Sequence, residues 1–243
     1  MKRSLFTIQG NQPLAPGTYR MTLSGDTGAI TAPGQFVNIA LAGKFLRRPI
    51  SVCDWGEGSL TLIYKVVGQG TAQMSQMSPG QTLDLLTGLG NGYDLSKAGD
   101  RPLLIGGGAG VPPLYALAKA LVAQGKRPQV VLGFNTRAEA FLEEEFQALG
   151  AAVTVATADG SYGVRGFVTD AMPRDGYSYI YTCGPEPMLR AVYGKAVTSG
   201  QFSFEERMGC GFGACMGCTC ETKYGYKRIC REGPVLEKEE ILW

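Results

Sequence analysis

Leu103-Leu104-Ile105-Gly106-Gly107-Gly108-Ala109-Gly110-Val111-Pro112-Pro113-Leu114 reads as an apolar strand, a glycine turn and a helix opened by proline. Proline suits a first helical turn, where its missing N–H had no partner, and the free N–H groups of that turn can hold a pyrophosphate. Proline stands where the strict G-x-G-x-x-G fingerprint has its third glycine, so the turn alone also fits simple packing of helix on strand. Around it the same unit repeats. Residues 129–134, 152–157 and 179–183 read as strands, and 112–124, 138–149 and 186–199 as helices. This alternation predicts a parallel α/β sheet over residues 100–200. Tyr181-Thr182-Cys183-Gly184-Pro185 puts a second glycine turn at a strand's carboxyl end, where open α/β sheets take their ligands, and the two turns together predict a dinucleotide crevice.

Upstream of Gly99-Asp100-Arg101-Pro102 the texture differs. Short alternating runs at 4–9, 18–24, 35–41, 49–54, 59–67 and 82–86, divided by Gly, Pro, Asn or Asp, predict a small antiparallel barrel over residues 1–99. Two of its features suit a diphosphate. Arg47-Arg48-Pro49-Ile50-Ser51 starts a strand with a guanidinium, and Val67-Gly68-Gln69-Gly70-Thr71 leads into a short helix with Thr71 as its expected N-cap. Each alone is more often a solvated charge or an ordinary cap.

Downstream of Gly200 lies a Gly/Cys-rich tail, residues 201–243, too short to hold a hydrophobic core without help. Its spacing, Cys210-x4-Cys215-x2-Cys218 and then Cys230, is that of plant-type sites in which four thiolates hold two irons and two sulfides. Gly209, Gly211, Gly213 and Gly217 interleave the first three cysteines, as a loop aiming N–H groups at sulfur requires. Zinc is the rival, although structural zinc usually takes two short Cys pairs; reduced structural thiols are the plainest alternative. Cys220 falls outside the spacing and, like Cys53, reads as an apolar core thiol.

Composition narrows the classes. The chain has 243 residues, 44% of them hydrophobic, and 23 Lys+Arg against 21 Asp+Glu give a net charge of +2 with no run of five or six like charges. That excludes disorder and argues against a dedicated nucleic-acid binder. No window approaches ~18 consecutive apolar residues and no signal core follows Met1, so a soluble, cytoplasmic protein with no membrane role is expected. There is no histidine, which rules out a Ser-His-Asp triad, imidazole-bound zinc and a Rieske cluster. No residue is singled out as catalytic. The 35 glycines are about twice the average share of ~7%.

The order of motifs, Arg-Pro-Ile-Ser on a barrel strand, Gly-x-Gly-Thr before a helix, Gly-Gly-Ala-Gly-Val-Pro-Pro and Thr-Cys-Gly-Pro, resembles the ferredoxin-NADP reductase superfamily over roughly residues 3 to 200. With the tail Gly-Cys-Gly-Phe-Gly-Ala-Cys-Met-Gly-Cys-Thr-Cys and Cys230-Arg231-Glu232-Gly233-Pro234-Val235, it looks like one branch: the electron-transfer subunits of the two-subunit, NAD-linked dihydroorotate dehydrogenase of pyrimidine biosynthesis. The resemblance implies one FAD per chain across the barrel face, held by Arg48, Pro49, Ile50 and Ser51, by Ile63, Tyr64 and Lys65, and by Gly70 and Thr71. Arg48 would meet the pyrophosphate and Ser51 the flavin ring. It implies one 2Fe-2S cluster per chain. It also implies NAD as a diffusible substrate, with Gly107, Gly108 and Gly110 under its phosphates and Cys183 near the nicotinamide. The superfamily's Arg-x-Tyr-Ser motif has Ile50 in place of tyrosine here. The implied partner is a catalytic, FMN-containing subunit that oxidises dihydroorotate, in a heterotetramer of two of each.

The expected organisation is therefore multidomain: an antiparallel β-barrel flavin domain (1–99), an α/β parallel-sheet nucleotide domain (100–200) and a small C-terminal 2Fe-2S domain (201–243). Two further classes carry the same or overlapping features. One is a flavin and iron–sulfur NAD(P)H subunit of a hydrogenase or transhydrogenase; the other is a non-enzymatic zinc-binding module. NAD is expected over NADP because Glu139, near the end of the second sheet strand, can receive a ribose hydroxyl, while Arg137 beside it is a cation of the kind that NADP sites use.

Overall fold

A computed structural model describes residues 1–243. Strands β1 (Lys2–Ala15), β2 (Thr18–Ser24), β3 (Phe36–Ala40), β4 (Arg48–Gly56), β5 (Ser59–Lys65) and β6 (Thr82–Leu89) close a barrel in the order β1-β2-β5-β4-β3-β6. Every pairing in it is antiparallel. Alternate residues point inward, so Phe6 and Ile8, Met21 and Leu23, and Val37 and Ile39 meet in one apolar cluster. Helix α1 (Gln69–Ser75) joins β5 to β6. Its N-cap is Gly68 rather than Thr71. Thr71 lies one turn further in, and its Oγ1 reaches back to accept from the N–H groups of Val67 and Gly68 at 2.9 and 3.2 Å, the N3-to-N-cap half of a capping box.

The second half runs β7 (Leu103–Gly107), α2 (Pro112–Ala123), β8 (Gln129–Phe134), α3 (Glu143–Ala148), β9 (Ala152–Thr157), β10 (Val164–Arg165), α4 (Val168–Ala171), β11 (Ile180–Cys183), α5 (Glu186–Lys195) and β12 (Gly200–Ser203). The tail adds the hairpin β13 (Thr219–Thr222) and β14 (Gly225–Arg228), and then β15 (Val235–Glu237). The sheet order is β10-β9-β8-β7-β11-β12-β15, parallel except for β15. Leu103, Leu104 and Ile105 are wholly buried, as a central strand covered on both faces requires. Successive strands run outward from β7 in one direction through β8 and β9, and in the other through β11 and β12. The order reverses between β7 and β11, and both glycine turns lie at that switch point.

The helix expected over 138–149 is interrupted. A single turn at Arg137–Glu139 is followed by extended Ala140, and α3 begins only after Leu142, whose φ is +65°. The break turns Phe141 and Leu142 into the core, where they are 8% and 4% exposed; burial outweighs helix continuity. The helix expected over 186–199 stops at Lys195, which leaves the chain extended for its return to the sheet at Gly200.

The tail solves its size problem by sharing cores. Val235, Leu236 and Glu237 pair with Ser203, Phe202 and Gln201, so the sheet crosses the boundary expected at residue 200. Cys218, Ile229, Cys230 and Leu236 pack in one cluster with Leu103 and Ile105 of the sheet and with Phe36 and Leu89 of the barrel. Asn91, in the connection between barrel and sheet, clamps the same segment. Its Nδ2 donates to the carbonyls of Val235 (2.7 Å) and Glu232 (3.3 Å), and its Oδ1 accepts from the Val235 N–H at 3.1 Å. Removing that clamp leaves the partly buried N–H and carbonyl of Val235 unpaired. Asn91→Ala is expected to cost about 2–3 kcal/mol, read as a lower Tm with faster proteolysis of the tail; an unchanged Tm would show the clamp to be dispensable.

Candidate functional site

The four cysteines of the plant-type spacing converge. Gly211 and Gly213, at φ +77° and +88°, turn the loop so that its N–H groups face sulfur. Cys210 Sγ accepts from the N–H groups of Ala214 (3.2 Å) and Cys215 (3.4 Å), Cys230 Sγ from Gly213 (3.1 Å), and Cys218 Sγ from Cys230 (3.4 Å). The thiols come as two pairs, Cys210 with Cys215 and Cys218 with Cys230. Two such pairs are what two irons, each taking two thiolates, require.

The electrostatics divide the pairs. Burial acts to raise the Cys210 thiol, but the N–H groups of Cys215, Phe212 and Ala214 outweigh it and bring it down to about 6. Burial, then the neighbouring Cys218, pushes Cys230 up to about 12. Arg228 braces the loop: Nη1 donates to the Gly213 carbonyl at 2.6 Å, and Nε to Glu232 Oε2 at 3.0 Å. Arg228 in turn holds the Glu232 carboxyl down at about 2. Cys220 stands apart on β13, where its Sγ faces the Glu221 carbonyl at 3.6 Å. Cys53 is 1% exposed in the core beneath α2, and burial raises it to about 12.

On the barrel, Arg48 and Gly70 are brought together. A Cβ at Gly70 would overlap the Arg48 guanidinium, which also donates to the Leu46 carbonyl. A side chain at 70 would therefore displace the cation best placed to meet a diphosphate. Pro49, Ile50 and Ser51 continue along β4, half-buried. Thr71 is buried and already satisfied by the helix start. On β5, Ile63 packs into the core shared with α2, the Tyr64 ring packs into the barrel with its OH on Asn11 Oδ1 at 3.0 Å, and Lys65 faces Glu139 at 3.7 Å.

A cleft of about 590 Å³ opens beyond the carboxyl ends of β7, β8 and β11. Gly107 and Gly108 line it, with Lys65, Glu139, Met188 and Glu205. Gly110 does not; it packs so closely on the Cys183 carbonyl that any Cβ there would overlap it. Cys183 is 3% exposed behind the cleft wall, and burial raises its thiol to about 12. Glu139 is held by Asn135 Nδ2 at 3.0 Å as well as by Lys65, whereas the Arg137 guanidinium lies over the Tyr162 ring, 5.3 Å from its centroid.

Three polar residues of the site were not singled out from the sequence. Glu205 follows β12 and borders the cleft; Asn38 on β3 donates to the Cys210 carbonyl at 3.1 Å; Asn91 holds the segment after Cys230. None belongs to a recognisable local motif, and only the tertiary contact gives each its meaning.

Comparison with known proteins follows this geometry. Residues 104–193 match the oxidoreductase NAD-binding domain family, and residues 205–242 match the iron–sulfur cluster binding domain of dihydroorotate dehydrogenase B. A curated relative from Bacillus caldolyticus, the electron transfer subunit of dihydroorotate dehydrogenase B (NAD(+)), is 44% identical over 99% of this chain and 98% of its own. A solved NADH-dependent reduced ferredoxin-NADP oxidoreductase, studied for flavin-based electron bifurcation, superposes with a TM-score of 0.89 at 30% identity, over 98% of this chain and 90% of that one. A ferredoxin NADP+ reductase from Neisseria gonorrhoeae, solved with bound FAD and NADP, superposes with a TM-score of 0.69 at 14% identity over 80% of this chain and 90% of that one, a likeness of fold.

The opposed thiol shifts are open to a direct test. In metal-free protein, Cys210 should be alkylated ahead of the other cysteines, its rate rising with pH through about 6 as the thiolate forms, while Cys53 stays inert until far higher pH. Iodoacetamide labelling followed by mass spectrometry reads this; a Cys210 midpoint near the ordinary value of about 8.5 would mean that the N–H groups do not act on its sulfur.

Proposed function

Because this chain belongs to the family of electron-transfer subunits of dihydroorotate dehydrogenase B, we propose that its three sites form one relay, with the residues described above in the following roles. The chain is a flavin- and iron–sulfur-dependent oxidoreductase subunit that carries electrons between a catalytic partner and NAD in pyrimidine biosynthesis. FAD, stable at three redox levels, supplies the conversion between the hydride of a nicotinamide and the single electrons of a 2Fe-2S cluster. Cys210, Cys215, Cys218 and Cys230 hold the cluster, and Cys220 does not. The observation that carries this assignment is the set of two thiol pairs with backbone N–H groups aimed at sulfur.

Arg48 holds the FAD diphosphate beside Gly70. Pro49, Ile50 and Ser51 of β4 meet the flavin ring; Ile63, Tyr64 and Lys65 form the adjoining strand, and Thr71 fixes the start of α1. Gly107 and Gly108 let the NAD phosphates approach the backbone of the turn between β7 and α2, and not α2's own first turn as the sequence suggested, because Pro112 and Pro113 carry no N–H and the N–H groups of Val111 and Leu114 are already bonded. Gly110 and Cys183 act behind that surface: the contact between them sets the turn against the end of β11. The preference for NAD over NADP is supported by the two carboxylates that border the cleft, Glu139 and Glu205, and by the placement of Arg137 on Tyr162.

We assign the catalytic chemistry on dihydroorotate to an FMN-bearing partner in a two-plus-two heterotetramer. Phe212 and Met216 on the cluster loop, 43% and 62% exposed, are apolar anchors of the kind that a docked partner covers. All seven cysteines are free, in keeping with a cytoplasmic location, and no helix is long and apolar enough to cross a membrane. The division into residues 1–99, 100–200 and 201–243 describes the three cofactor sites, with the third anchored in the sheet of the second. The transhydrogenase alternative has support in the 30% identical oxidoreductase, but the 44% identical relative and the match at 205–242 favour the present reading.

The test uses the purified chain with and without its partner. Alone, it should pass electrons from NADH to a dye, faster than from NADPH, and leave dihydroorotate untouched. With the partner, Cys215→Ser should abolish NAD-linked dihydroorotate oxidation while sparing most of the NADH-to-dye reaction. Orotate formed by the isolated chain, or coupled turnover that survives loss of the cluster, would sink the relay. Phe212→Asp should weaken assembly about tenfold, or about 1.4 kcal/mol, in a titration of the two subunits; unchanged affinity would move the docking face elsewhere.

A further inference from the structure

The outer face of β3 is the platform on which the cluster loop rests. Val37 and Ile39 point into the barrel, and Phe36 and Asn38 point out. Phe36 packs in the cluster that contains Cys218 and Cys230, while Asn38, 1% exposed, donates its Nδ2 to the Cys210 carbonyl at 3.1 Å. On the other side, Asn38 is the register partner of Pro49 on β4, the strand read above as the flavin strand. Its own carbonyl accepts from Arg47 Nη1 at 3.1 Å, and Arg47 also donates to the Asp84 carbonyl at 2.9 Å and to the Asp84 carboxylate at 2.8 Å.

Asparagine is an expensive residue for this place. Its Oδ1 is buried with no hydrogen-bond partner, and an unmet buried acceptor costs about 1–3 kcal/mol. An apolar side chain would fill the interface at no such cost, as Phe36 does two residues earlier. What asparagine adds is the single bond to Cys210. The loop fits that bond closely, since a Cβ at Gly211 would overlap the Asn38 amide.

We propose that Asn38 is the positioning residue that ties the loop of the cluster's first thiolate to the flavin strand, and so sets the electronic coupling between flavin and cluster. The proposal rests on the reading of Cys210 as a ligand and of β4 as the flavin strand. A bonded connection between the two then runs from the Cys210 carbonyl through the Asn38 side chain to β3, whose backbone pairs with β4 at Val37 and Ile50. An N–H donor one residue's carbonyl away from a ligand sulfur also acts on the cluster's potential.

The experiment takes the full chain, loaded with FAD and cluster, as Asn38→Leu and Asn38→Asp. Both keep the branched side-chain shape, Asp at nearly the same volume and Leu at a larger one, and both remove the donor. Iron and FAD content and the NADH-to-dye rate should be unchanged. Reduction of the cluster after rapid mixing with NADH should slow about tenfold, with a shifted cluster midpoint potential and an altered electron paramagnetic resonance spectrum. Asn38→Leu should hold or raise the Tm, because it removes the unmet acceptor. Unchanged cluster reduction and potential in whichever variants load would overturn the proposal, as would a loss of dye reduction as large as the loss of cluster reduction. Failure of the underlying reading looks different: the parent chain would lack iron or FAD, or Cys210→Ser would keep its cluster.

Discussion

Three backbone rungs, Gln201 with Glu237, Phe202 with Leu236 and Ser203 with Val235, hold the tail to the rest of the molecule. A segment of that size cannot bury enough apolar surface to order itself, so its position must come from elsewhere. The antiparallel pairing supplies the direction, the shared cluster around Phe36, Ile105, Ile229 and Leu236 supplies the burial, and Asn91 fixes the register. With those in place, the loop that carries Cys210, Cys215 and Cys218 has one orientation relative to the barrel. Electron passage between two bound groups needs that fixity more than it needs any reactive side chain.

In a chain without histidine, the work at all three sites falls to backbone groups and fixed cations. N–H groups stabilise sulfur at Cys210 and Cys230, the glycine turn after β7 lines the cleft, Arg48 is held by the Leu46 carbonyl, and Arg228 bridges the Gly213 carbonyl to Glu232. Backbone donors do not titrate, and guanidinium stays protonated throughout the range in which enzymes work. The relay's fixed charges are therefore largely insensitive to pH, unlike those of an active site that must exchange protons.

Much of this was legible in the sequence because it rests on local rules. The barrel's alternation, the glycine turn before Pro112 and the spacing of Cys210, Cys215 and Cys218 are each set over a short stretch of chain. Where the reading departed from the structure, long-range packing had intervened. Phe141 and Leu142 broke a helix to reach the core, Gly110 served the strand end at Cys183 instead of lining the cleft, and Thr71 capped from within the helix. Asn38 and Asn91 stayed invisible for the same reason: their partners lie 172 and 144 positions away along the chain.

The chain leaves the sheet after Ser203 and re-enters it at Val235, and the Phe204 N–H bonds to the Pro234 carbonyl at 2.9 Å across the gap. The excursion that carries the cysteines thus starts and ends at one point, as a long loop of a hairpin does. Insertions at such sites disturb the scaffold least, because the flanking strands keep their pairing whatever the loop contains. The whole cysteine segment is thus suspended from one point of the sheet, and neither the barrel nor the parallel strands must change their pairing to carry it.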